Sequence, residues 1–147
     1  MIIETIKKDI FQPVLDSEFD LFAHGCNCFH SFGKGIALSV KDTFPKAYVA
    51  DKATAYGSKD KLGTYSFADY DCVKIINAYT QFNYGYGKRN ADYNAIKKVF
   101  ETLNLEYPGL TLAIPKIGAG LAKGDWNIIQ DIINDSTPDL KVSVFYL

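Results

Sequence analysis

Residues 22–36 read FAHGCNCFHSFGKGI, and this stretch decides the fold class. It begins as an aromatic and aliphatic run that suits a buried strand, and Gly33 and Gly35 then follow in a short loop. After the glycines the pattern changes, because Val40 and Phe44 can share one face of a helix. The stretch therefore predicts a strand, a loop with little side-chain bulk and a helix that starts on glycines.

Residues 24–30, HGCNCFH, contain both histidines of the chain and two of its three cysteines. Alternate residues of a strand point the same way, and imidazole and thiolate are good zinc ligands. However, four ligands two residues apart span roughly 20 Å at about 3.3 Å per residue, too far to surround one ion. A C-x-C pair also makes a poor disulfide and differs from the C-x-x-C redox motif. We therefore expect no metal and interpret Cys26 and Cys28 as small buried hydrophobes, with metal or redox chemistry as the weakest alternative.

The segment IPKIGAGLAKGDW, residues 114–126, has the same order of strand, glycine loop and helix. Gly118 and Gly120 follow the strand, and Asp125 is a candidate N-cap of the next helix. At such a junction, backbone N–H groups and the positive end of a helix can meet an anion. Two unrelated structural turns remain the alternative. Together the two loops predict a site that holds a diphosphate carrying an organic group.

Strands and helices alternate through most of the chain, which predicts an α/β fold. We expect a partly parallel sheet covered by helices on both faces, with ligands at the carboxyl ends of its strands. The predicted strands are residues 2–7, 19–24, 64–68, 72–78, 110–118 and 141–147, and the predicted helices are residues 36–44, 45–56, 93–103 and 125–135.

The length of 147 residues predicts one domain spanning residues 1–147. With 48% hydrophobic and 14% aromatic residues, the chain can bury a substantial core. Sixteen basic and seventeen acidic residues give a net charge of −1, which excludes a broad cationic surface for nucleic acid. No secretory leader or membrane span is evident and three cysteines cannot all pair, so we expect a cytoplasmic protein without a membrane partner. A monomer is also expected.

Residues 77–93, NAYTQFNYGYGKRNADY, are rich in tyrosine, glycine and asparagine. One interpretation is a mobile surface loop. The other is a lid whose aromatic and hydrogen-bonding groups surround a sugar or base. The lid residues would be Tyr79, Tyr84, Tyr86 and Tyr93 beside Arg89.

Four segments together resemble the macrodomains over essentially the whole chain. They are Asp9-Ile10, the stretch FAHGCNCFHSFGKGIALSVKDTFPKA at 22–47, IPKIGAGLAKGDW at 114–126, and VSVFYL at 142–147. The resemblance is closest to the branch that contains ADP-ribose-1″-phosphate phosphatases, terminal ADP-ribose protein hydrolases and DNA ADP-ribosyl hydrolases. It implies a three-layer α/β/α sandwich around a mixed sheet of about six strands, with ADP-ribose as the ligand.

The resemblance also implies which residues bind ADP-ribose. Asp9 would accept a hydrogen bond from the adenine amino group beside the Ile10 backbone, and the end of the last strand, with Tyr146 and Leu147, would flank the adenine ring. Two loops would hold the diphosphate and the distal ribose through backbone amides. Their residues are Ser31, Phe32, Gly33, Lys34, Gly35 and Ile36 in the first loop, and Ile117, Gly118, Ala119, Gly120, Leu121 and Ala122 in the second.

Three residues are the candidates for catalysis by the same resemblance. His24 would act as acid or base on water at the distal ribose, and Asn27 would bond a ribose hydroxyl. Asp125 is either an N-cap or a group near that ribose. Related hydrolases carry a lysine after the fourth strand and an aspartate in the second glycine loop, whereas this chain has Gln81 and Ala122 at those places. A lysyl-sugar intermediate is therefore not expected.

The resulting hypothesis is a hydrolase without a cofactor that acts on an ADP-ribose derivative at the distal ribose. Its substrate would be ADP-ribose-1″-phosphate or an ADP-ribosylated small molecule, protein or nucleic acid, and the missing lysine favours the phosphatase. The alternative is a module that binds ADP-ribose without chemistry. His24 and the predicted lid favour the enzyme, while the missing lysine and aspartate favour the binding module.

Overall fold

The computed structural model describes residues 1–85 and 87–147, and these residues form six strands and five α-helices. A one-turn 3-10 helix also covers Lys59–Lys61. The strands are β1 Ile2–Lys7, β2 Leu21–Cys26, β3 Tyr65–Asp69, β4 Lys74–Tyr79, β5 Thr111–Pro115 and β6 Lys141–Tyr146. The helices are α1 Phe11–Leu15, α2 Gly35–Thr43, α3 Pro45–Lys52, α4 Tyr93–Glu106 and α5 Trp126–Ser136.

The six strands form one mixed sheet in the order β1-β6-β5-β2-β4-β3. The β3 strand runs antiparallel to β4, and every other neighbouring pair is parallel. The carboxyl ends of β1, β6, β5, β2 and β4 therefore meet at one edge of the sheet. This result confirms the predicted α/β class with a mixed six-stranded sheet.

Helices cover both faces of the sheet. Successive residues of a strand point to opposite faces, and apolar residues on both faces are buried against helices. In β2, Leu21 and Ala23 pack in the core formed with α4 and α5. The intervening Phe22 packs in a second core, which includes residues of α1, α2 and α3. The molecule is therefore the α/β/α sandwich that the macrodomain resemblance implies.

The sequence missed one short helix, and its predicted ends for β2 and α3 were wrong. The short helix α1 was not predicted, and it starts where the Asp9 carboxylate accepts a hydrogen bond from the Phe11 amide at 3.0 Å. The β2 strand extends to Cys26 because it stays paired with β4 to that point. The α3 helix ends at Lys52 rather than residue 56, since the Thr54 hydroxyl and amide both donate to the Asp51 carbonyl.

Candidate ligand-binding site

A cavity of about 580 Å³ opens at the sheet edge where β2, β4 and β5 end. Its size lies within the usual range of small-molecule sites, roughly 300–1,000 Å³. Both predicted glycine loops line it, together with the start of α2 and part of the tyrosine-rich loop. The lining residues are Gly25, Cys26, Asn27, Ser31, Gly33, Lys34, Gly35, Ile36, Ala37, Gln81, Tyr84, Gly85, Asn90, Pro115, Lys116, Ile117, Gly118, Gly120, Leu121 and Ala122.

The amino terminus of α2 faces this cavity without a capping side chain. Its N-cap residue is Lys34, and no side chain accepts a capping hydrogen bond there. Within the described part of the chain, the N–H groups of Gly35, Ile36 and Ala37 donate to no acceptor. Because the first N–H groups of a helix carry its positive dipole end, this terminus favours an anion.

The first loop is held in shape by Asn27, which is 8% exposed and lines the cavity. Its side-chain oxygen accepts hydrogen bonds from the amides of Phe29 at 2.9 Å and Ser31 at 3.3 Å. Its Nδ2 group donates to the Ser31 carbonyl at 3.0 Å, which uses one of its two protons. Asn27 therefore organises the loop and also presents an amide to the cavity.

The second loop closes on itself through backbone hydrogen bonds. Gly124 donates to the Gly118 carbonyl at 2.6 Å, and Lys123 donates to the Gly120 carbonyl at 3.0 Å. Gly118 has φ +77°, and a Cβ there would lie 3.1 Å from the Ile129 side chain. This tight fold leaves the N–H group of Gly120 without a protein acceptor among the described residues, beside the cavity.

The two loops face each other closely enough to contact one molecule. A Cβ built on Gly35, which has φ +58°, would lie 3.4 Å from the side chain of Leu121. The uncapped helix terminus and the second glycine loop therefore lie on either side of the same cavity. This is the arrangement that the two-loop pattern in the sequence predicted.

The tyrosine-rich segment supplies a wall of the cavity through Tyr84 and Gly85. Asn90 attaches this wall to the second loop, since its side chain donates to the Gly85 carbonyl at 3.2 Å and its amide donates to the Ala122 carbonyl at 2.9 Å. Gln81 also lines the cavity.

Two other tyrosines of the predicted lid lie elsewhere, so that part of the lid prediction was wrong. Tyr79 is 1% exposed at the end of β4, and its hydroxyl donates to the Asp51 carboxylate at 2.7 Å. Tyr93 begins α4, with the Arg89 guanidinium 4.2 Å from its ring centroid, and neither residue lines the cavity. Tyr86 lies outside the described residues.

His24 does not reach the cavity, which corrects the prediction that it acts on water there. The side chain is 0% exposed, and its Nε2 atom lies 2.7 Å from the Asn77 side-chain oxygen. The Asn77 amide group donates elsewhere, to the Ala47 carbonyl, so its oxygen is the acceptor and His24 Nε2 carries the proton. Burial lowers the pKa of His24 to about 4, against the smaller opposite effect of the Asn77 hydrogen bond. His24 is therefore a neutral core residue of β2.

The predicted place of Asp125 near the distal ribose is also corrected, and the structure shows where Phe32 and Ala119 lie. Asp125 is the N-cap of α5, where its carboxylate accepts from the Asn127 amide at 2.9 Å, and it does not line the cavity. Phe32 turns into the core, with its ring centroid 5.4 Å from that of His24. Ala119 packs against the core, and its amide, which was predicted to bind the ligand, donates to the Lys116 carbonyl at 3.1 Å.

The residues predicted to bind adenine lie at the same sheet edge, beyond the cavity wall. The Tyr146 carbonyl accepts a hydrogen bond from the Lys8 amide at 2.8 Å, which places Asp9 and Ile10 next to the end of β6. Four steps separate β1 from β4, roughly 19 Å at about 4.8 Å per step. The edge is thus long enough for an elongated ligand, although Asp9, Ile10, Tyr146 and Leu147 do not line the cavity itself.

Several lining residues were not predicted as site residues from the sequence. Gly25 and Cys26 line the cavity because β2 continues past His24, and Lys116 does so because β5 ends at Pro115. Gly25 lies close to the first glycine loop in sequence, and that proximity was the available signal for it. Asn90 lies in the tyrosine-rich segment 77–93, but the composition of that segment does not show which of its side chains face the cavity.

The cysteines and histidines of residues 24–30 point to different partners. The Cys26 sulfur lies 3.6 Å from His24 Nε2, whereas the Cys28 thiol approaches the Gln81 carbonyl at 3.6 Å. His30, with φ +58°, contacts Thr54 through its Nε2 atom. The described residues contain no group of three or more His, Cys, Asp or Glu side chains that could hold a metal ion. No helix among them is both long and apolar enough to cross a membrane.

The fold is shared with a solved macrodomain from Streptomyces coelicolor. The two chains superpose with a TM-score of 0.75 over 100% of this chain and 99% of that structure, at 24% sequence identity. No protein-family model matches the chain. The α/β/α layers, the strand order and the loop-lined cavity at the carboxyl edge therefore define a macrodomain fold.

Two sequence relatives extend this result over almost the full length. An uncharacterized 17.5 kDa protein of Enterobacteria phage T4 is 38% identical over 156 aligned positions, covering 98% of this chain and 96% of that protein. An ADP-ribose 1″-phosphate phosphatase of Debaryomyces hansenii is 28% identical, covering 90% of this chain and 92% of the phosphatase. The chain therefore has the macrodomain fold and is related in sequence to these two proteins over nearly its full length.

Proposed function

We propose that this protein binds ADP-ribose derivatives in the cavity and hydrolyses them at the distal ribose, with ADP-ribose 1″-phosphate as the substrate. The observation that carries the proposal is the cavity between two loops that present open backbone amides, those of Gly35, Ile36 and Ala37 at the uncapped start of α2 and that of Gly120 in the second loop. Such paired donors suit a diphosphate. The similarity to an ADP-ribose 1″-phosphate phosphatase supports the same ligand class.

The order of strands suggests how the ligand would lie. Its adenine would occupy the edge near Asp9 and Tyr146, where β1 and β6 end, and its diphosphate would cross between the glycine loops. The distal ribose would then reach the end formed by Asn27, Gln81 and Asn90. Asp9 retains acceptor capacity for an adenine amino group, because the Phe11 amide engages only one carboxylate oxygen.

The chemistry would rest on positioning and on hydrogen-bond donors rather than on a histidine base. Asn27, Gln81 and Asn90 carry carboxamide side chains that can orient water and ribose hydroxyls near the distal ribose. The amides of the two loops would stabilise the negative charge on the departing phosphate. The products would be ADP-ribose and inorganic phosphate.

A binding module without catalysis is the second candidate, and one observation favours it. Among the described lining residues there is no carboxylate and no imidazole, the groups most often used for acid–base catalysis. Such a module would bind ADP-ribose with the same contacts and release no product.

Two measurements on the purified protein test both candidates. Calorimetry should detect ADP-ribose binding, and Asp9→Ala should weaken it by about 1–3 kcal/mol, the scale of a hydrogen bond to a charged group. Incubation with ADP-ribose 1″-phosphate should release phosphate, and Asn27→Ala should slow the release because the first loop loses its internal acceptor. Binding without release would select the binding module. Absence of binding would refute both candidates.

A further inference from the structure

We propose that Lys116 is a diphosphate-binding residue, and that it couples recognition of the diphosphate to the adenine side of the site through Tyr146. This inference rests on the proposed function, because it assumes that an ADP-ribose derivative occupies the cavity. The observations that carry it are the position of the lysine, its lack of an ion pair among the described residues and its contact with an aromatic ring.

Lys116 stands at the junction between the cavity and the end of β6. It is the first residue after β5, whose last residue Pro115 is paired with Phe145. The neighbouring residue on β6 is Tyr146, and the Lys116 ammonium group lies 4.5 Å from the centroid of its ring. The Ala119 amide donates to the Lys116 carbonyl at 3.1 Å, which joins its backbone to the second glycine loop.

Among the described residues, the Lys116 ammonium group forms no ion pair. The residues that line the cavity include neither aspartate nor glutamate, and in the described part of the chain the one ion pair joins Lys74 to Asp69. Lys116 is half-buried, so its charge is only partly screened by water. A cationic residue that lines a cavity with open backbone amides makes this cavity attractive to an anion.

The contact with Tyr146 leaves the lysine able to bind a phosphate. A lysine ammonium has three N–H donors, and a tyrosine ring attracts its charge without accepting a strong hydrogen bond. Phosphate oxygens form charge-assisted hydrogen bonds, which are stronger. Lys116 can therefore hold a diphosphate oxygen while it stays close to the ring that flanks the proposed adenine position. Lys116 would then bind the diphosphate and also contact the tyrosine that flanks the adenine.

The test compares ADP and ADP-ribose binding by calorimetry at low and high salt. Lys116→Met should weaken both ligands equally, by about tenfold or more, the scale of one charge-assisted hydrogen bond. The loss should shrink at high salt, because screening already weakens the wild-type contact. Lys116→Arg should keep most of the affinity. The matched control is Lys97→Met, which removes the same charge from the exposed face of α4.

The affinities of wild type and Lys116→Met distinguish failure of the Lys116 role from failure of the proposed function. Unchanged affinity in Lys116→Met, with wild type binding both ligands, would overturn the role of Lys116 and leave the proposed function intact. A loss for ADP-ribose alone would also overturn it, since ADP shares the diphosphate but lacks the distal ribose. Failure of the wild-type protein to bind either ligand would refute the proposed function, and this inference with it.

Discussion

The burial of His24 predicts a specific pH dependence of stability. The imidazole is wholly buried, and its pKa falls from 6.5 to about 4 because the core disfavours the charged form. Between these two values the unfolded chain binds a proton at this position and the folded chain does not. The unfolded state is therefore favoured as the pH falls through this window, and the contribution of neutral His24 is fully present only above pH 6.5.

The size of the effect follows from the shift. Each pKa unit corresponds to about 1.36 kcal/mol, so lowering the pH from 7 to 5 should remove about 2 kcal/mol of unfolding free energy through His24. Near pH 4 the loss should approach about 3 kcal/mol. These losses are a large part of the stability of an ordinary domain, about 5–15 kcal/mol.

The assay is urea unfolding of wild type and His24→Gln across this pH range. Glutamine has no proton to gain, and its amide can still donate to Asn77, so other titrating groups contribute alike to both proteins. The unfolding free energy of wild type should fall with pH more steeply than that of the variant by the amounts above. Parallel pH profiles would show that His24 is accessible in the folded protein and would restore it as a candidate catalyst.

Two further predictions concern packing beside the site. Gly124→Ala should reduce the unfolding free energy by about 1–3 kcal/mol, because its Cβ would lie 2.6 Å from the Gly118 carbonyl oxygen. Gly33→Ala, where a Cβ meets nothing within 4 Å, should change the unfolding free energy by less than about 0.5 kcal/mol. Equal denaturation midpoints for the two variants would contradict this contrast. Tyr79→Phe should cost about 1–3 kcal/mol by leaving the buried Asp51 carboxylate without its donor. Its ADP-ribose affinity, measured by calorimetry, should match wild type, and a large loss would return Tyr79 to the site.

The sequence predicts those parts of the fold that depend on local residue patterns. Glycines after an apolar run identify both loops, and apolar residues at helical spacing identify α4. Asp125 is confirmed as the N-cap of α5, since a short acceptor before an amphipathic run has this local role. The helix α1 escaped prediction because it has only five residues and no apolar repeat long enough to detect.

The parts that the sequence does not predict depend on which way a side chain points. In β2 both faces are buried, so alternation along the strand does not show whether His24 faces a core or a cavity. The same limitation applies to Tyr79, which belongs to a strand rather than to the loop that follows it. Lys116 was missed for another reason. A single lysine after a strand is ordinary, and its position between the cavity and Tyr146 is visible only in three dimensions.

The helices of this chain differ in the capping of their first turns and in whether those turns line the cavity. The two longest helices, α4 and α5, each have an aspartate N-cap, Asp92 and Asp125, whose carboxylate accepts a backbone N–H bond. The α2 helix has Lys34 in that position and no capping side chain. Because loss of an N-cap typically costs about 1 kcal/mol, an uncapped helix facing a cavity leaves stabilisation that an anion can restore. The α1 and α3 helices also lack a capping side chain, but their first residues do not line the cavity, whereas those of α2 do. We therefore expect a phosphate of the proposed ligand at the start of α2, where Lys34 places no competing negative charge.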